Sequence, residues 1–321
     1  MNCLCCGRPL SVPEQAQGWH QQCIKRFFGG SQLPRLDLSH KTLLEFAAQS
    51  VQAGYTVAGV QKKISLHLET VDSPRLTLRG YPAGYILKPQ VEAYTCMPES
   101  EQLVMSMADS CGIRTVPHAL VYLADHRLAY ISKRVDRPGQ RPAATAKLAM
   151  EDFCQLDLRL TQDKYNGSYE RGAKLIQRYS LRPGLDLAEY YLRLVFCYLS
   201  ANSDMHLKNF SLLETSPGSA AYTLSPAYDL LPVNIIMPED PEETALTLNG
   251  KKRQLRRKDF LQFADHIGLN QKVAQGLIRS CLSQLPELER LIAVSLIPAE
   301  AKNRFTILLR ERARRLRPGE V

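Results

Sequence analysis

The sequence predicts an α+β chain of two lobes, a β-rich lobe followed by an all-helical one, with a small Cys/His module in front. Three observations lead there. Residues 57–88 alternate in the manner of strands, in short β-prone runs parted by Gly, Pro and charged residues. From about residue 147 the apolar positions recur at helical spacing in one segment after another. The first 30 residues hold two closely spaced pairs of soft metal ligands. The boundaries expected from these shifts are 1–30 for the module, 31–140 for the β-rich lobe and 141–321 for the helical lobe. Strands followed by helices, rather than strict alternation, is the α+β order.

In the module, Cys3 and Cys6 form a C-x-x-C pair and His20 and Cys23 an H-x-x-C pair. Two such pairs are what one tetrahedral Zn²⁺ requires, and "CCG" has the form of a zinc-ribbon knuckle. A core-facing patch with fortuitous spacing is the alternative. In the next lobe "KKISLHLE", "RLTLRG" and "GYILKP" are predicted strands. "SEQLVMSMADSCG" is a predicted helix, acidic at its start and stopped by Gly112. "HALVYLA" and "LAYISKRVD" return to strand around a turn at "DH". Beyond residue 147, "KLAMEDFCQLD", "LAEYYLRLVFCYLSAN", "RKDFLQFADHIGL", "QKVAQGLIRSCLSQL" and "AEAKNRFTILLRERARRLR" are predicted helices. Residues 234–245 are the expected mobile loop.

Composition narrows the function classes. A chain of 321 residues, 45% apolar and 23% charged, is an ordinary globular protein with a sizeable core. No stretch approaches the ~20 apolar residues of a membrane helix, and "MNCLCCGRPL" lacks the layout of a secretory signal. The expected compartment is therefore the cytoplasm, and the nine cysteines read as reduced thiols or metal ligands rather than a disulfide framework. The net charge of +9 is concentrated in "KKRQLRRK" (251–258) and the C-terminal helix. This is either a solvated rim or a surface for an acidic partner.

The chemistry gathers in "SDMHLKN" (203–209), a polar knot between apolar segments. Asp204 and Asn209 stand in the order D-x-x-x-x-N, and Asp229 follows in "LSPAYDLLP". Phosphoryl transfer needs such a set: one carboxylate to take the proton of an attacking hydroxyl, and an amide oxygen and a second carboxylate to hold Mg²⁺. A kinase also needs a strand Lys on the phosphates and a helical Glu to hold it. Lys88 in "YILKP" and Glu101 thirteen residues on fit those places, although Lys88 could simply end a strand. "AGVQKK" (58–63) is either a phosphate loop with Gly59 at its turn or a plain hairpin.

Taken together, "TVAGVQKKISL", "YILKP", "PESEQLVMSMADSCGI", "ISKRVDR", "MEDFCQL", "SDMHLKNFSLL" and "LSPAYDLLP" resemble the HipA family of serine/threonine kinase toxins in order and spacing, over about residues 55–235. The chain looks closer to the compact HipT-like members, which lack the separate N-terminal subdomain of full-length HipA. The resemblance implies a protein-kinase-like fold with Asp204 as catalytic base and Asn209 and Asp229 as Mg²⁺ ligands. It implies ATP contacts from Ala58, Gly59, Val60, Gln61, Lys62 and Lys63 of the loop, and from Lys88 braced by Glu101. His206, Lys208 and Tyr228 would lie at the nucleotide, and Lys133, Arg134 and Val135 near the adenine hinge. It further implies autophosphorylation at Thr56, a helix-turn-helix antitoxin as partner, and DNA contact only through that antitoxin. A small third protein resembling the missing N-terminal subdomain is a further implied partner, and the implied protein substrate is an aminoacyl-tRNA synthetase. Two other classes stay open on the residues alone: a small-molecule kinase, and a zinc-containing nucleic-acid-binding protein. The second has no use for Lys88, Glu101, Asp204, Asn209 and Asp229 together.

Overall fold

The computed structural model describes residues 1–43, 45, 63–70, 73–78, 83–137 and 147–319. The chain divides into two compact units. The first comprises Met1–Leu103, Val116–Thr145 and Val294–Ile297; the second comprises Val104–Thr115, Ala146–Ala293 and Pro298–Val321.

The first unit is built on an antiparallel sheet of β1 (Ile64–Glu69), β2 (Arg75–Thr77), β3 (Tyr85–Pro89), β4 (His118–Tyr122) and β5 (Leu128–Lys133) in the order β2-β1-β3-β5-β4. Central β3 is almost wholly buried, and so is Lys88 near its end. Register pairs Lys88 with Tyr130 of β5. Helix α1 (Gln21–Phe28) packs Phe27 and Phe28 around fully buried Trp19, and both rings meet Tyr85 of β3 at 6.0 and 5.6 Å. The N-terminal chain runs along the open edge of β4, where the Leu120 amide donates to the Leu4 carbonyl at 2.9 Å. This contact covers part of an edge that would otherwise offer unpaired backbone groups to another chain. Helix α2 (Met97–Ser110) starts with Glu99 in its first turn and ends where Gly112 adopts φ +79°. The Ile113 amide reaches back to the Ala108 carbonyl at 3.1 Å, the hydrogen bond of a left-handed helix terminus.

The second unit centres on α5, after β6 (Met150–Asp152), α3 (Phe153–Leu156) and α4 (Tyr169–Tyr179). Helix α5 (Pro183–Leu199) begins on a proline and is buried without a break from Tyr190 to Leu199. A helix apolar on all sides belongs at the middle of a domain. Tyr190 meets the Phe210 ring at 4.9 Å, and Tyr191 stacks on Phe263 at 6.1 Å. After β7 (Ser211–Glu214), β8 (Tyr222–Leu224) and the short α6 (Val233–Ile236), helices α7 (Arg257–His266), α8 (Gln271–Ser283), α9 (Leu285–Val294) and α10 (Ala299–Arg315) complete the unit.

Three expectations need correction here. The later part of the chain is not all-helical: β6, β7 and β8 form an antiparallel sheet in the order β6-β7-β8. "MEDFCQL" does not lie on one helix either. Asp152 caps α3, accepting from the Gln155 amide at 2.9 Å while the Gln155 side chain accepts from the Asp152 amide, so the helix starts only at Phe153. The three residues before it pair with β7, a pairing invisible to local periodicity. Residues 234–245 are tied down rather than loose. Asn234 donates to the Glu242 carbonyl at 2.9 Å, Ser203 Oγ donates to Asp240 at 2.8 Å, and Glu243 pairs with Arg315 at 2.6 Å. The basic stretch 251–258 is partly neutralised, with Lys251 on Asp259 at 2.6 Å and Lys252 on Glu242 at 2.9 Å. No helix of the described residues is long and apolar enough to cross a membrane.

Candidate active site

In the first unit, the β3 pleat turns the Lys88 side chain inward and α2 presents Glu101 to it. Lys88 Nζ lies 2.5 Å from Glu101 Oε1, with side-chain exposures of 5% and 0%. The ammonium also stands 5.3 Å from the centroid of the Tyr130 ring. Removing one member of a charge pair this deep would leave a buried charge uncompensated. Gln102, the next residue of α2, bridges two elements: its Oε1 meets His118 Nδ1 at 2.8 Å and its Nε2 donates to the Cys5 carbonyl at 3.1 Å. Lys133 lies over the Phe27 ring at 5.7 Å, and burial pulls its ammonium below the usual lysine value. Arg134 grips Asp136 with two hydrogen bonds of 3.0 and 2.7 Å. Burial raises the Asp136 acid, but the Arg134 guanidinium outweighs it and leaves the carboxyl below its ordinary range. Val135 lies half-buried between these two.

In the second unit, the turn after α5 holds the polar knot. Ala201 takes φ +61°, which reverses the chain out of the helix. The Asp204 amide then donates to Asn202 Oδ1 at 3.1 Å, and Asn209 Nδ2 donates to the Asp204 carbonyl at 2.8 Å. Only the nitrogen of an amide can donate to a carbonyl, so the Asn209 oxygen is the end turned toward other partners. The Tyr165 hydroxyl donates to Asp204 Oδ1 at 2.6 Å, and its ring stands edge-on to His206 at 5.0 Å. Burial and the Asp204 charge push the Tyr165 phenol well above its ordinary value, so it remains a donor. Lys208 is held by Asp152 at 2.6 Å.

The Asp229 loop is bound to the same turn. The Tyr228 hydroxyl donates to the Lys208 carbonyl at 3.1 Å and meets Ser211 Oγ at 2.5 Å. Asn209 and Asp229 therefore each lie one residue from a shared hydrogen bond. Asp229 adopts φ +61°, a left-handed conformation that Asp tolerates better than most side chains. Arg193 on α5, 1% exposed, anchors this loop by donating to the Ser225 carbonyl at 2.6 Å and to Glu189 at 3.0 Å. Arg193→Met should strand the Ser225 carbonyl and leave Glu189 with the Arg114 amide in place of a cation. We expect a stability loss of roughly 3–5 kcal/mol, read from the urea midpoint, because one member of a buried ionic contact is lost.

Among the expected nucleotide-loop residues only Lys63 is described; it is exposed just before β1. Thr56, Ala58, Gly59, Val60, Gln61 and Lys62 lie outside the described residues. Cys3, Cys6, His20 and Cys23 come together as expected, with one ligand atom of each within 4.8 Å of the others. Sequence reasoning missed Tyr165, Asp152, Gln102 and Arg193. Their partners in the fold lie 39, 56, 97 and 32 residues away, and no local signal marks them.

Comparison with known proteins decides the family. Residues 55–288 match the HipA-like C-terminal domain. The chain belongs to that family. A Haemophilus influenzae relative named "Putative kinase" is 27% identical over 314 residues, spanning 88% of this chain and 86% of its own length. A Sinorhizobium fredii relative, "Putative kinase Y4dM", is 30% identical over 245 residues, 72% of this chain and 58% of its own length. Among solved structures, Shewanella oneidensis HipA, determined with HipB and operator DNA, matches with a TM-score of 0.65 at 18% identity, over 90% of this chain and 77% of that one. The Helicobacter pylori proinflammatory kinase CtkA matches with a TM-score of 0.56 at 16% identity, over 80% of this chain and 89% of that one. The fold of this chain is thus HipA-like, and the names of its relatives support a kinase activity.

Proposed function

We propose that this chain is an ATP- and Mg²⁺-dependent protein serine/threonine kinase acting as the toxin of a bacterial toxin–antitoxin pair. One observation carries the kinase reading: the Lys88–Glu101 pair, buried on both sides, joins a central strand to a helix. A buried ion pair adds little net stability over an apolar pair of the same volume, whereas a kinase requires one to present a lysine to nucleotide phosphates.

In this reading Asp204 takes the proton of the attacking Ser or Thr hydroxyl. The hydroxyl oxygen bonds to the γ-phosphorus, the bond from that phosphorus to the β–γ bridging oxygen breaks, and ADP leaves with the electron pair. Asn209 and Asp229 offer the oxygen donors that suit Mg²⁺. A bound Mg²⁺ supplies charge neutralisation on the phosphates. Tyr165 orients the Asp204 carboxylate through its hydrogen bond. Tyr228 fixes the spacing between the turn and the Asp229 loop. His206 stands beside the base, and Lys208, positioned by Asp152, keeps further N–H donors for phosphate oxygens.

By likeness to Shewanella HipA, the proposal includes a helix-turn-helix antitoxin and DNA contact through that partner. It also includes a small third protein, an aminoacyl-tRNA synthetase as substrate, and autophosphorylation at Thr56. Quantitative phosphoproteomics after brief induction, comparing the native chain with Asp229→Asn, tests it. A small set of Ser/Thr sites should rise only with the native chain, as growth stops. No such site would sink the kinase reading. Phosphorylation with unimpeded growth would sink the toxin role alone.

A further inference from the structure

We infer that Cys3, Cys6, His20 and Cys23 hold one structural Zn²⁺, and that this metal centre clamps together the strand and the helix that carry Lys88 and Glu101. The metal site stands independently; only its consequence for catalysis rests on the kinase reading.

The four donor atoms already face one another at close range. His20 Nδ1 lies 3.4 Å from Cys6 Sγ and 3.9 Å from Cys23 Sγ, and all four ligand atoms fall within 4.8 Å of one another. Zinc with bonds of about 2.3 Å to sulfur and about 2.0 Å to nitrogen sets ligand separations of roughly 3.5–3.8 Å. Closing the widest pair by up to about 1 Å would complete the site. The ring is oriented for it. His20 Nε2 meets the Pro9 carbonyl at 2.9 Å, so the ring proton sits there and the Nδ1 lone pair points into the cluster. Backbone amides support the sulfurs as in a zinc knuckle. The His20 amide donates to Cys3 Sγ at 3.4 Å, and Gly7 at φ +69° folds the chain back so that its amide meets the Cys3 carbonyl at 2.9 Å. Three thiols and one imidazole in this arrangement select zinc over the harder divalent ions.

The chain around this cluster makes three attachments to the sheet and helix. The Cys5 carbonyl, between two ligands, accepts from Gln102 next to Glu101. The Leu4 carbonyl accepts from Leu120 on β4. Helix α1, which carries Cys23 in its first turn, lays Phe27 and Phe28 against Tyr85, three residues before Lys88 on β3. Metal binding ties these two loops and the helix into one body. A segment of this length has too little core of its own to hold such a shape without the ion. Loss of the metal should therefore loosen α2 and β3 where Glu101 and Lys88 face each other.

The test uses the full-length chain. Elemental analysis of the purified protein should give one zinc per chain. Cobalt(II) replacement should produce thiolate-to-metal charge-transfer bands with the visible absorption of a tetrahedral site. Cys6→Ser and Cys23→Ser should abolish both, whereas Cys5→Ser should retain zinc and activity. Hydrogen–deuterium exchange over residues 97–110 should quicken about tenfold or more on metal removal, equivalent to roughly 1.4 kcal/mol of lost protection. Phosphotransfer should fall in parallel. Gln102→Leu should keep zinc while speeding exchange of the same helix. Absence of zinc together with absence of cobalt bands would overturn the site. Zinc present, but exchange over 97–110 unchanged on its removal, would overturn the clamp. Since neither readout needs phosphotransfer, both decide even if the kinase reading fails.

Discussion

Asp204→Asn should reduce phosphotransfer by about 10²–10⁴-fold, the usual contribution of a general base, while leaving the fold and ATP affinity intact. The substitution is isosteric, and two contacts that shape the turn run through the backbone of residue 204 rather than its carboxylate. The Asp204 amide bonds to Asn202, and its carbonyl accepts from Asn209. Tyr165 can still donate to the remaining amide oxygen, as it does to Oδ1. What disappears is the proton acceptor. Transfer of radiolabelled γ-phosphate to protein, measured beside the thermal midpoint and nucleotide binding, separates these effects. Full transfer activity in the variant would remove Asp204 from the mechanism. A collapsed midpoint would mean that the carboxylate is structural.

How much of this was legible beforehand depends on the reach of each interaction. Helices such as α5, α7, α8 and α10 could be read because their signal is the spacing of neighbouring apolar residues. Lys88 and Glu101 could be read because strand and helix were each locally plain and only thirteen residues separate the two. The small sheet of the second unit could not. Met150–Asp152 pairs with a strand some sixty residues later, and both partners are too short to show alternation. Tyr165 and Asp152 were invisible for the same reason: each is an ordinary polar residue until the fold sets it against Asp204 or Lys208. The cysteine cluster was legible from spacing alone. Its hold on α2 was not, since that contact runs through the backbone carbonyl of Cys5, an atom every residue has.

Lys88 and Glu101 allow stability and catalysis to be pulled apart. Lys88→Met removes the cation beside a carboxylate of 0% exposure, and should cost about 3–5 kcal/mol in urea unfolding, as breaking a buried pair does. Glu101→Leu should cost a similar amount by stranding the ammonium. The double variant Lys88→Met/Glu101→Leu replaces both charges with apolar groups of comparable volume. Its stability should return to within about 1 kcal/mol of the native chain or exceed it, because a well-packed apolar pair equals or surpasses a buried ion pair. Phosphotransfer should be lost in all three. If the pair were only a structural staple, activity would return with stability in the double variant, and that result would end the case for Lys88 as the phosphate-binding lysine. If instead the double variant is stable and inactive, the ion pair is kept at the expense of stability for what the lysine does to a nucleotide, which is the pattern expected of a functional charge held in a core.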